Sequence, residues 1–304
     1  MTATVPVALF AYTRPDLLTR TLQSLKENDI PLIYAFSDGA RQATDEPLVQ
    51  QVRTILRAVT WARVVLVERE KNLGLGTNIV SGTTEVLTNH DAVIVCEDDL
   101  VAVPGTVAWL SAALDHYRDD DRVMSVSGWT HPRVTPPGIG SAPFFSPRVN
   151  TLFWGTWARA WRGMDTGSAS GRLSAYATAG GDPAAYGADL PLQAAAERER
   201  NIWAVRFIAD HMARQGLSLC PPWSMVEHIG YDARATNAVH DPTWYQPAPG
   251  RAAPIPAVWP EPAEHPAIAG LWRAAVEVEL AAGAPPSFFA RVRRRLRRMF
   301  GARD

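Results

Sequence analysis

The first 118 residues alternate short, continuous apolar runs with segments of helical spacing, and this alternation constrains the fold most strongly. Four apolar runs are predicted strands, at residues 5–12, 32–36, 64–67 and 92–96. The segments between them space their apolar residues as a helix does, as in 16–27 with Leu18 and Leu22. Apolar strands that alternate with helices are typical of a parallel sheet covered on both faces. The sequence therefore predicts an α/β fold with a mostly parallel central sheet flanked by helices.

The second half of the chain is less regular. We expect a strand at 123–128, a long loop at 130–149, a weakly patterned, mobile segment at 163–187 and one helix over 192–215. Eight prolines between residues 241 and 266 disfavour regular structure and predict an extended, wrapping segment. Two terminal helices are expected after it, at 267–282 and 286–300.

Composition excludes several classes of protein. A chain of 304 residues with 47% hydrophobic and 20% charged residues fits one large globular α/β domain. Its 30 basic residues against 31 acidic ones argue against a dedicated nucleic-acid binder. Two cysteines exclude a disulfide framework and a four-cysteine metal site. The start shows no signal-peptide pattern and no stretch reaches the length of a spanning helix, so we expect a cytoplasmic protein.

Three consecutive carboxylates, Glu97, Asp98 and Asp99, directly follow the fourth predicted strand. The carboxyl ends of parallel strands are where α/β sheets bind ligands. Adjacent carboxylates repel one another, and a cation between them and a diphosphate would relieve that repulsion. Mg²⁺ and Mn²⁺ typically use one or two protein carboxylates together with phosphate oxygens and water. A solvated acidic turn is the alternative.

Other polar residues follow neighbouring strands and should share that sheet edge. Arg14 follows the first strand and can neutralise phosphate charge, whereas Asp38 follows the second and can accept from a base N–H or a ribose hydroxyl. Asp38 can instead serve as a turn former before the next glycine. Asn72 opens the glycine-containing segment 72–76 after the third strand. Ile79 replaces the third glycine of G-x-G-x-x-G, which disfavours a Rossmann dehydrogenase.

In this order the motifs resemble those of the GT-A glycosyltransferases. They are A-L-F-A-Y-T-R-P at 8–15, S-D-G at 37–39, N-L-G-L-G at 72–76 and E-D-D at 97–99. An aromatic block at 153–161 and an S-x-V-x-x-I-G segment at 224–230 are most similar to the branch of N-acetylglucosaminyltransferase I and bacterial surface-glycan sugar transferases. The resemblance spans residues 5–237. It implies a GT-A (Rossmann-like) domain with a nucleotide-sugar-binding half at 1–128 and an acceptor-side half at 129–240. A Pro-rich wrap and C-terminal helices at 241–304 would follow.

The resemblance implies a metal-dependent glycosyltransferase of hexosyltransferase type. It would move a sugar from a nucleotide-diphospho-sugar, with a UDP-sugar favoured, to a hydroxyl acceptor in glycan or glycosylated-metabolite biosynthesis. The acceptor would be a glycan, a lipid-linked glycan or a small molecule. By resemblance, Asp99 ligates Mn²⁺ or Mg²⁺, Asp98 contacts the ribose or a metal-bound water, and Glu97 contacts the donor sugar. Asp38 is then the residue expected to read the base.

Four further residues complete the predicted nucleotide-sugar-binding set: Arg14, Asn72, Trp157 and His228. Trp157 belongs to the aromatic block and is a candidate wall of the donor or acceptor site, because aromatic faces suit the C–H faces of sugars. Trp154, Trp157 and Trp161 could equally form one core-facing stripe on a helix. His228 can be an acid–base group, a phosphate partner or a structural histidine.

The catalytic base is the least regular part of the pattern. Inverting members need a carboxylate that deprotonates the acceptor opposite the leaving group. The family tends to place this acid just after a tryptophan in the helix that matches 201–207, where this chain has Ala204. Glu227, beside His228 in a matched motif, is our first candidate, and Asp189 is the second. Glu199 fits a solvated helix face better. The resemblance to the family predicts an inverting mechanism.

Residues 288–300 read as a basic amphipathic helix, with apolar side chains on one face and arginines on the other. Such a helix suits an anionic membrane surface, or it docks on its own domain or on a partner subunit. The final 18 residues carry seven Arg and one Asp, a formal charge of +6. Because the whole chain has a formal charge of −1, the other residues together carry −7. Peripheral attachment at the inner face of a membrane is therefore compatible with the near-neutral total.

Two other classes of function compete with glycosyl transfer. A nucleotidyltransferase shares the parallel sheet and the acidic metal site, but it normally opens with a Gly-rich, basic phosphate loop after its first strand. Residues 11–15 read A-Y-T-R-P, which is not such a loop. A non-catalytic module that binds a sugar nucleotide or a partner is supported by Ala204 at the position where the base is expected.

Overall fold

The computed structural model describes residues 5–164, 166–200, 202–231 and 250–281. The first part of the chain contains β1 (Val7–Ala11), α1 (Pro15–Glu27), β2 (Leu32–Ser37), α2 (Glu46–Arg57), β3 (Arg63–Glu68), α3 (Leu75–Leu87), β4 (Ala92–Glu97), β5 (Leu100–Ala102), α4 (Thr106–His116) and β6 (Val123–Ser127). The second part contains β7 (Phe144–Ser146), β8 (Trp154–Trp157), α5 (Ala158–Trp161), α6 (Ala169–Thr178), α7 (Asp189–Arg200), α8 (Trp203–Ala213), β9 (Leu217–Cys220), β10 (Val226–His228) and α9 (Ile268–Ala281). A short 3-10 turn, Ala43–Asp45, precedes α2.

Eight strands form one sheet in the order β3-β2-β1-β4-β8-β6-β9-β7. The four strands from β3 to β4 are parallel, β6 and β9 run in the same direction, and β8 and β7 are antiparallel to their neighbours. The predicted α/β class with a mostly parallel central sheet is confirmed. A second, two-stranded antiparallel ribbon joins β10 to β5 directly after the acidic residues, with His228 opposite Leu100.

The core lies on both faces of the sheet because the central strands are buried on both sides. In β1, Val7 and Leu9 face one cluster of buried side chains, while Ala8 and Phe10 face the other. Residues of α1, α2 and α4 pack in the first cluster, and residues of α3 and α5–α9 pack in the second. Continuous apolar runs are what a strand covered on both faces requires.

Local sequence signals account for the helix ends. Helix α1 begins at Pro15, where the missing N–H costs no intrahelical bond, and carries Asp16 in its first turn and Lys26 in its last, as the helix dipole favours. Helix α6 begins after Ser168, whose side chain accepts a hydrogen bond from the Gly171 N–H at 3.1 Å.

The structure corrects three expectations for the second half. The predicted loop 130–149 contains β7, a strand of three residues that pairs with β9. The segment 163–187, expected to be mobile, contains the capped helix α6. The expected helix 192–215 is two helices, α7 and α8, with Ile202 as the N-cap of α8. Strand β7 and helix α6 have weak local patterns, and their pairing and packing with other elements stabilise them.

The described part of the proline-rich segment, residues 250–266, has no helix or strand of its own, and its only bridge is the isolated one between Glu264 and Phe145 of β7. Trp259 packs edge-on against Trp109, with ring centroids 5.7 Å apart, and the Pro260 carbonyl accepts from the Tyr117 hydroxyl at 2.7 Å. The basic segment 288–300 and residues 241–249 lie outside the described residues. Among the residues that the structure does describe, no helix has both the length and the apolarity needed to cross a bilayer.

Candidate functional site

A cleft of about 230 Å³ lies at the carboxyl ends of β1, β2 and β4, and we call it the strand-end cleft. Because these parallel strands end at one edge of the sheet, polar residues that follow each of them meet there. Seven of the predicted site residues lie on its wall: Arg14, Asp38, Asn72, Glu97, Asp98, Asp99 and His228. The remaining three, Asp189, Glu227 and Trp157, are not on that wall.

The acidic residues at the end of β4 form an electrostatically strained group. Burial, reinforced by repulsion from Asp99 and Asp98, raises the pKa of Glu97 to about 8. Burial and the Asp99 charge likewise raise the pKa of Asp98 to about 7, although Asp98 Oδ2 accepts from the Tyr12 backbone N–H at 3.0 Å. A positive charge placed beside these carboxylates would favour their ionised forms. The end of β4 is therefore a place where a cation is stabilising.

Asp99 differs from its two neighbours because the Arg14 guanidinium and the His228 imidazole both lie beside it. Arg14 Nη1 donates to Asp99 Oδ2 at 2.8 Å, and His228 Nε2 lies 3.4 Å from the same oxygen. Burial opposes ionisation, but the His228 imidazole and the Arg14 guanidinium outweigh it and hold the pKa of Asp99 below its usual value. His228 Nδ1 is buried and has no hydrogen-bond partner among the described residues.

Gly230 lets the segment after β10 close against these groups. Its carbonyl accepts from Arg14 Nη2 at 3.1 Å, while the N–H of the preceding Ile229 donates to the Asp99 carbonyl at 2.9 Å. A Cβ at position 230 would lie 2.1 Å from Asp99 Oδ2 and 2.6 Å from Arg14 Nη1. Only glycine permits this approach, so a residue far along the sequence shapes the acidic end of the cleft.

Asp38 follows β2 and is buried at the opposite side of the cleft, with 4% of its surface exposed. Its Oδ1 accepts from the N–H groups of Gly39 at 2.9 Å and Leu73 at 2.8 Å. Its Oδ2 accepts from the Gly74 N–H at 3.0 Å and from Asn72 Nδ2 at 3.2 Å. The carboxylate therefore binds the loop that connects β3 to α3.

Several residues of the cleft wall were not predicted from the sequence. Tyr12 contributes the backbone N–H that reaches Asp98, and Asn78, 3% exposed, faces the cleft from the first turns of α3. Arg41 and Leu75 also lie on the wall. Asn78 could have been predicted, because it is a polar residue in the first turn of a helix that begins just after a strand end. Such a residue lies near the same edge of the sheet as the other strand-end residues.

The residues at the end of β4 fit a divalent cation in their chemistry. Asp98, Asp99 and His228 offer carboxylate oxygens and an imidazole nitrogen on one wall, and Mg²⁺ or Mn²⁺ needs only one or two protein carboxylates when a diphosphate supplies the rest. Within the ranges that the structure describes, no set of three or more His, Cys, Asp or Glu side chains is already arranged around one point. The donor set therefore fits a cation that arrives with a phosphate ligand.

Asp189, the second candidate for the catalytic base, serves the fold instead of the cleft. Arg148 donates to both of its carboxylate oxygens, at 2.8 and 2.7 Å, and Gln193 Nε2 donates a third bond at 2.8 Å. Arg148 also lies over the ring of Trp272, 4.4 Å from its centroid. Both carboxylate oxygens of Asp189 therefore serve structural hydrogen bonds away from the wall of the strand-end cleft.

Trp157 is a core residue, as the alternative interpretation had it. Its indole N–H donates to the Leu114 carbonyl at 3.1 Å, and only 2% of its surface is exposed. The aromatic block is a strand followed by a short helix, so Trp154 and Trp161 pack on the opposite side of the sheet from Trp157. None of the three reaches the wall of the strand-end cleft.

Glu227, the first candidate for the base, precedes His228 on β10. Successive side chains of a strand face opposite sides. His228 faces the cleft, and Glu227 is absent from the wall of the cleft. Ala204, at the position where the sequence pattern expects an acid, is packed against the second core cluster.

Comparison with known proteins gives a distant likeness. No family model matches the chain, and no curated protein matches it either. Among solved structures, one that matches is the mannosyltransferase PcManGT from Pyrobaculum calidifontis in complex with GDP-Man and Mn²⁺. It is 15% identical over 68% of this chain and 73% of that chain, with a TM-score of 0.37. A likeness this distant assigns no substrate to the chain.

Proposed function

We propose that this chain is a metal-dependent glycosyltransferase whose donor is a nucleotide-diphospho-sugar. One observation carries the proposal: the half-buried carboxylates at the end of β4 line the same cleft as the Arg14 guanidinium, and desolvation with mutual repulsion raises the pKa of Glu97 to about 8 and that of Asp98 to about 7. The carboxylates of this cleft favour a bound cation, and the Arg14 guanidinium can donate hydrogen bonds to phosphate oxygens. The ordered strand-end motifs at 8–15, 37–39, 72–76 and 97–99 support the same conclusion.

In this proposal Asp99 and His228, with Asp98 beside them, hold Mn²⁺ or Mg²⁺. A bound divalent cation supplies positive charge to the diphosphate as the bond between the sugar and its phosphate oxygen breaks. Arg14 lies on the same wall, and its guanidinium can donate to a phosphate oxygen of the donor. Helix α3 begins at Leu75 on the cleft wall, and backbone N–H groups at the N-terminus of a helix can donate to phosphate as well.

The proposal is tested by turnover of the donor. A panel of nucleotide-sugars is incubated with the protein, Mn²⁺ and hydroxyl acceptors, and release of nucleoside diphosphate is measured. We expect release with at least one donor, loss of release with a chelator, and a fall of about a hundredfold or more in Asp99→Ala, because an electrostatic contact to the leaving group is removed. Metal-dependent turnover that survives Asp99→Ala would remove the assignment of this site.

The finer parts of the proposal concern base, sugar and stereochemistry. We propose a UDP-sugar of a hexose as donor and inversion at the anomeric carbon, on the resemblance of the sequence motifs. The same donor panel identifies the base, and NMR of the first-formed product reports the anomeric configuration. A retained configuration would exclude inversion without affecting the assignment of the donor cleft.

A non-catalytic module that binds a nucleotide-sugar is the second candidate. One observation favours it, namely that neither Asp189 nor Glu227 lies on the wall of the strand-end cleft. The donor panel separates the two functions. Binding of a nucleotide-sugar without release of nucleoside diphosphate, with all acceptors present, identifies the module.

We also propose that residues 288–300 contact an anionic membrane surface, on the strength of their alternating apolar and arginine faces. Sedimentation with phosphatidylserine vesicles tests this contact. Replacement of Arg294 and Arg298 by Glu is expected to abolish sedimentation, and equal sedimentation of wild type and variant would exclude an electrostatic contact.

A further inference from the structure

Asp38 uses its whole hydrogen-bonding capacity on the protein itself. A carboxylate offers about four acceptor positions, and all four are engaged, by the N–H groups of Gly39, Leu73 and Gly74 and by the Asn72 amide. Hydrogen bonds to an ionised acceptor are about twice as strong as neutral ones. A nucleobase N–H could bond this carboxylate only by displacing one of the existing donors.

The loop that Asp38 holds is pressed directly against the end of β2. A Cβ on Gly39 would lie 2.5 Å from the Lys71 carbonyl carbon and 2.9 Å from the Asn72 nitrogen, so the two backbones touch. Asn72 Nδ2 adds a bond to the Gly39 carbonyl at 2.8 Å. The contact leaves no room for the loop to shift while Asp38 stays bonded.

This loop leads directly into helix α3, and α3 supplies one wall of the cleft. Gly74 is the N-cap of the helix, and its carbonyl accepts the N–H of Asn78 at 3.0 Å. Leu75 and Asn78 both lie on the cleft wall. The position of these residues, and of the backbone of the first turn of α3, therefore depends on the loop that Asp38 holds.

We propose that Asp38 is a positioning residue that locks the loop 71–75 and the start of α3, and that it does not read the nucleobase. Its effect on the loop stands on geometry alone, while its effect on nucleotide affinity rests on the proposed function. Base identity is then read by other groups of the cleft wall. The Asp38 charge also lies beside the N-terminus of α3, where a negative charge is favourable.

Amide hydrogen exchange of Asp38→Asn tests the lock without any ligand. Asparagine keeps the size of the side chain but turns one acceptor into an NH₂ group that faces other donors. We expect the amides of Leu73 and Gly74 to exchange roughly tenfold to a hundredfold faster, because each loses a bond to an ionised group. The amide of Leu9 in β1 should keep its rate, which shows that the protein remains folded.

Asp45→Asn is the matched control. Asp45 also lies near the cleft, and its Oδ2 accepts from the Tyr12 hydroxyl at 2.7 Å, but it does not hold the loop. It should leave the exchange of Leu73 and Gly74 unchanged. Unchanged exchange in Asp38→Asn would overturn the proposal, and so would equal acceleration in both variants.

Nucleotide selectivity separates positioning from base reading. Affinities for UDP, GDP, CDP and ADP with Mn²⁺ are measured for wild type and Asp38→Asn. A positioning residue predicts that every nucleotide bound by the wild type weakens by a similar factor, with the order of preference kept. A changed order would make Asp38 a base reader. Absence of binding by the wild type would count against the proposed function, while the exchange result would still decide the role of Asp38.

Discussion

The strand-end cleft holds half-buried carboxylates at the end of β4 and the helical layer around α6–α8 holds fully buried ones, and the two regions neutralise them differently. In the helical layer each of these acids lies against a guanidinium, in the pairs Arg148–Asp189, Arg172–Asp210 and Arg206–Glu197. In the cleft, Glu97 and Asp98 interact with Arg14 only at a distance, and their pKa values rise. A carboxylate paired with a guanidinium holds two structural elements together. A carboxylate without such a pair is stabilised in its ionised form when a ligand cation binds beside it.

This difference explains why Asp189 is a poor catalytic candidate although its sequence position is suitable. A buried acid becomes a functional candidate when its surroundings leave its charge unmatched, and Asp189 is fully matched by Arg148. The comparison predicts that changes in the helical layer alter stability, and that changes in the cleft alter ligand binding.

The largest effect is expected from Arg148→Met, which leaves Asp189 buried and without its cation. Loss of one partner of a buried pair lowers the free energy of unfolding by about 3–5 kcal/mol. Urea unfolding measures this loss. The double variant Arg148→Met/Asp189→Leu should regain most of the stability, since replacing both partners by apolar groups is often close to neutral. If Arg148→Met is as stable as Arg148→Met/Asp189→Leu, the ion pair does not stabilise the helical layer as we expect, and the difference between the two regions does not hold.

A pH dependence of stability should arise from His211 in the same layer. Its Nδ1 lies 2.9 Å from the Phe207 carbonyl and its Nε2 lies 2.9 Å from Ser125 Oγ, and burial lowers its pKa from 6.5 to about 4. Below pH 6.5 the unfolded chain binds a proton that the folded chain does not. Stability is therefore lost as pH falls from 6.5 towards 4, by about 3 kcal/mol in total.

Urea unfolding at several pH values measures the His211 contribution. In His211→Gln, which cannot titrate, the free energy of unfolding should decline less steeply over this pH range, whatever its absolute stability. The same slope in both proteins would show that His211 is not the group responsible.

A smaller effect, confined to the cleft, is expected from Gly230→Ala. The new Cβ would meet Asp99 Oδ2 and Arg14 Nη1, so the two side chains must separate. We expect the affinity for a metal–nucleotide complex to fall by about tenfold, or ~1.4 kcal/mol, with little change in the free energy of unfolding. Gly270→Ala is the control, because nothing lies within 4 Å of a Cβ at that position of α9. Equal affinity in both variants would mean that the 228–230 segment does not shape the site.

The sequence predicted the parallel half of the fold because its signals there are local. Strands β1–β4 are apolar runs and α1–α3 carry helical spacing, so composition and periodicity suffice. Helix α6 escaped prediction because only Ala169 and Leu173 of it are buried, which leaves little periodic pattern. Strand β7 has three residues, too few to show alternation.

The candidate site was predictable to the extent that it follows strand ends. Residues after β1, β2, β3 and β4 meet by topology, which brought Arg14, Asp38 and Asp99 into one cleft. Countercharges were not predictable, because Arg148 and Asp189 are 41 residues apart and only the packing brings them together. The contact of Gly230 with Asp99 depends on tertiary structure in the same way.

In our proposal the three acidic residues at the end of β4, of which Glu97 and Asp98 have no ion-pair partner among the described residues and Asp99 is paired with Arg14, bind a divalent cation together with a nucleoside diphosphate. Isothermal titration calorimetry with UDP, GDP, dTDP and CDP, each with and without Mn²⁺, tests it most directly. The control is Asp115→Asn, at an exposed residue of α4 whose carboxylate pairs with Arg118. We predict that at least one nucleotide binds wild type and this control in a Mn²⁺-dependent way, and that Asp99→Asn loses this dependence. Absence of Mn²⁺-dependent binding for every nucleotide, or its persistence in Asp99→Asn, would contradict the account.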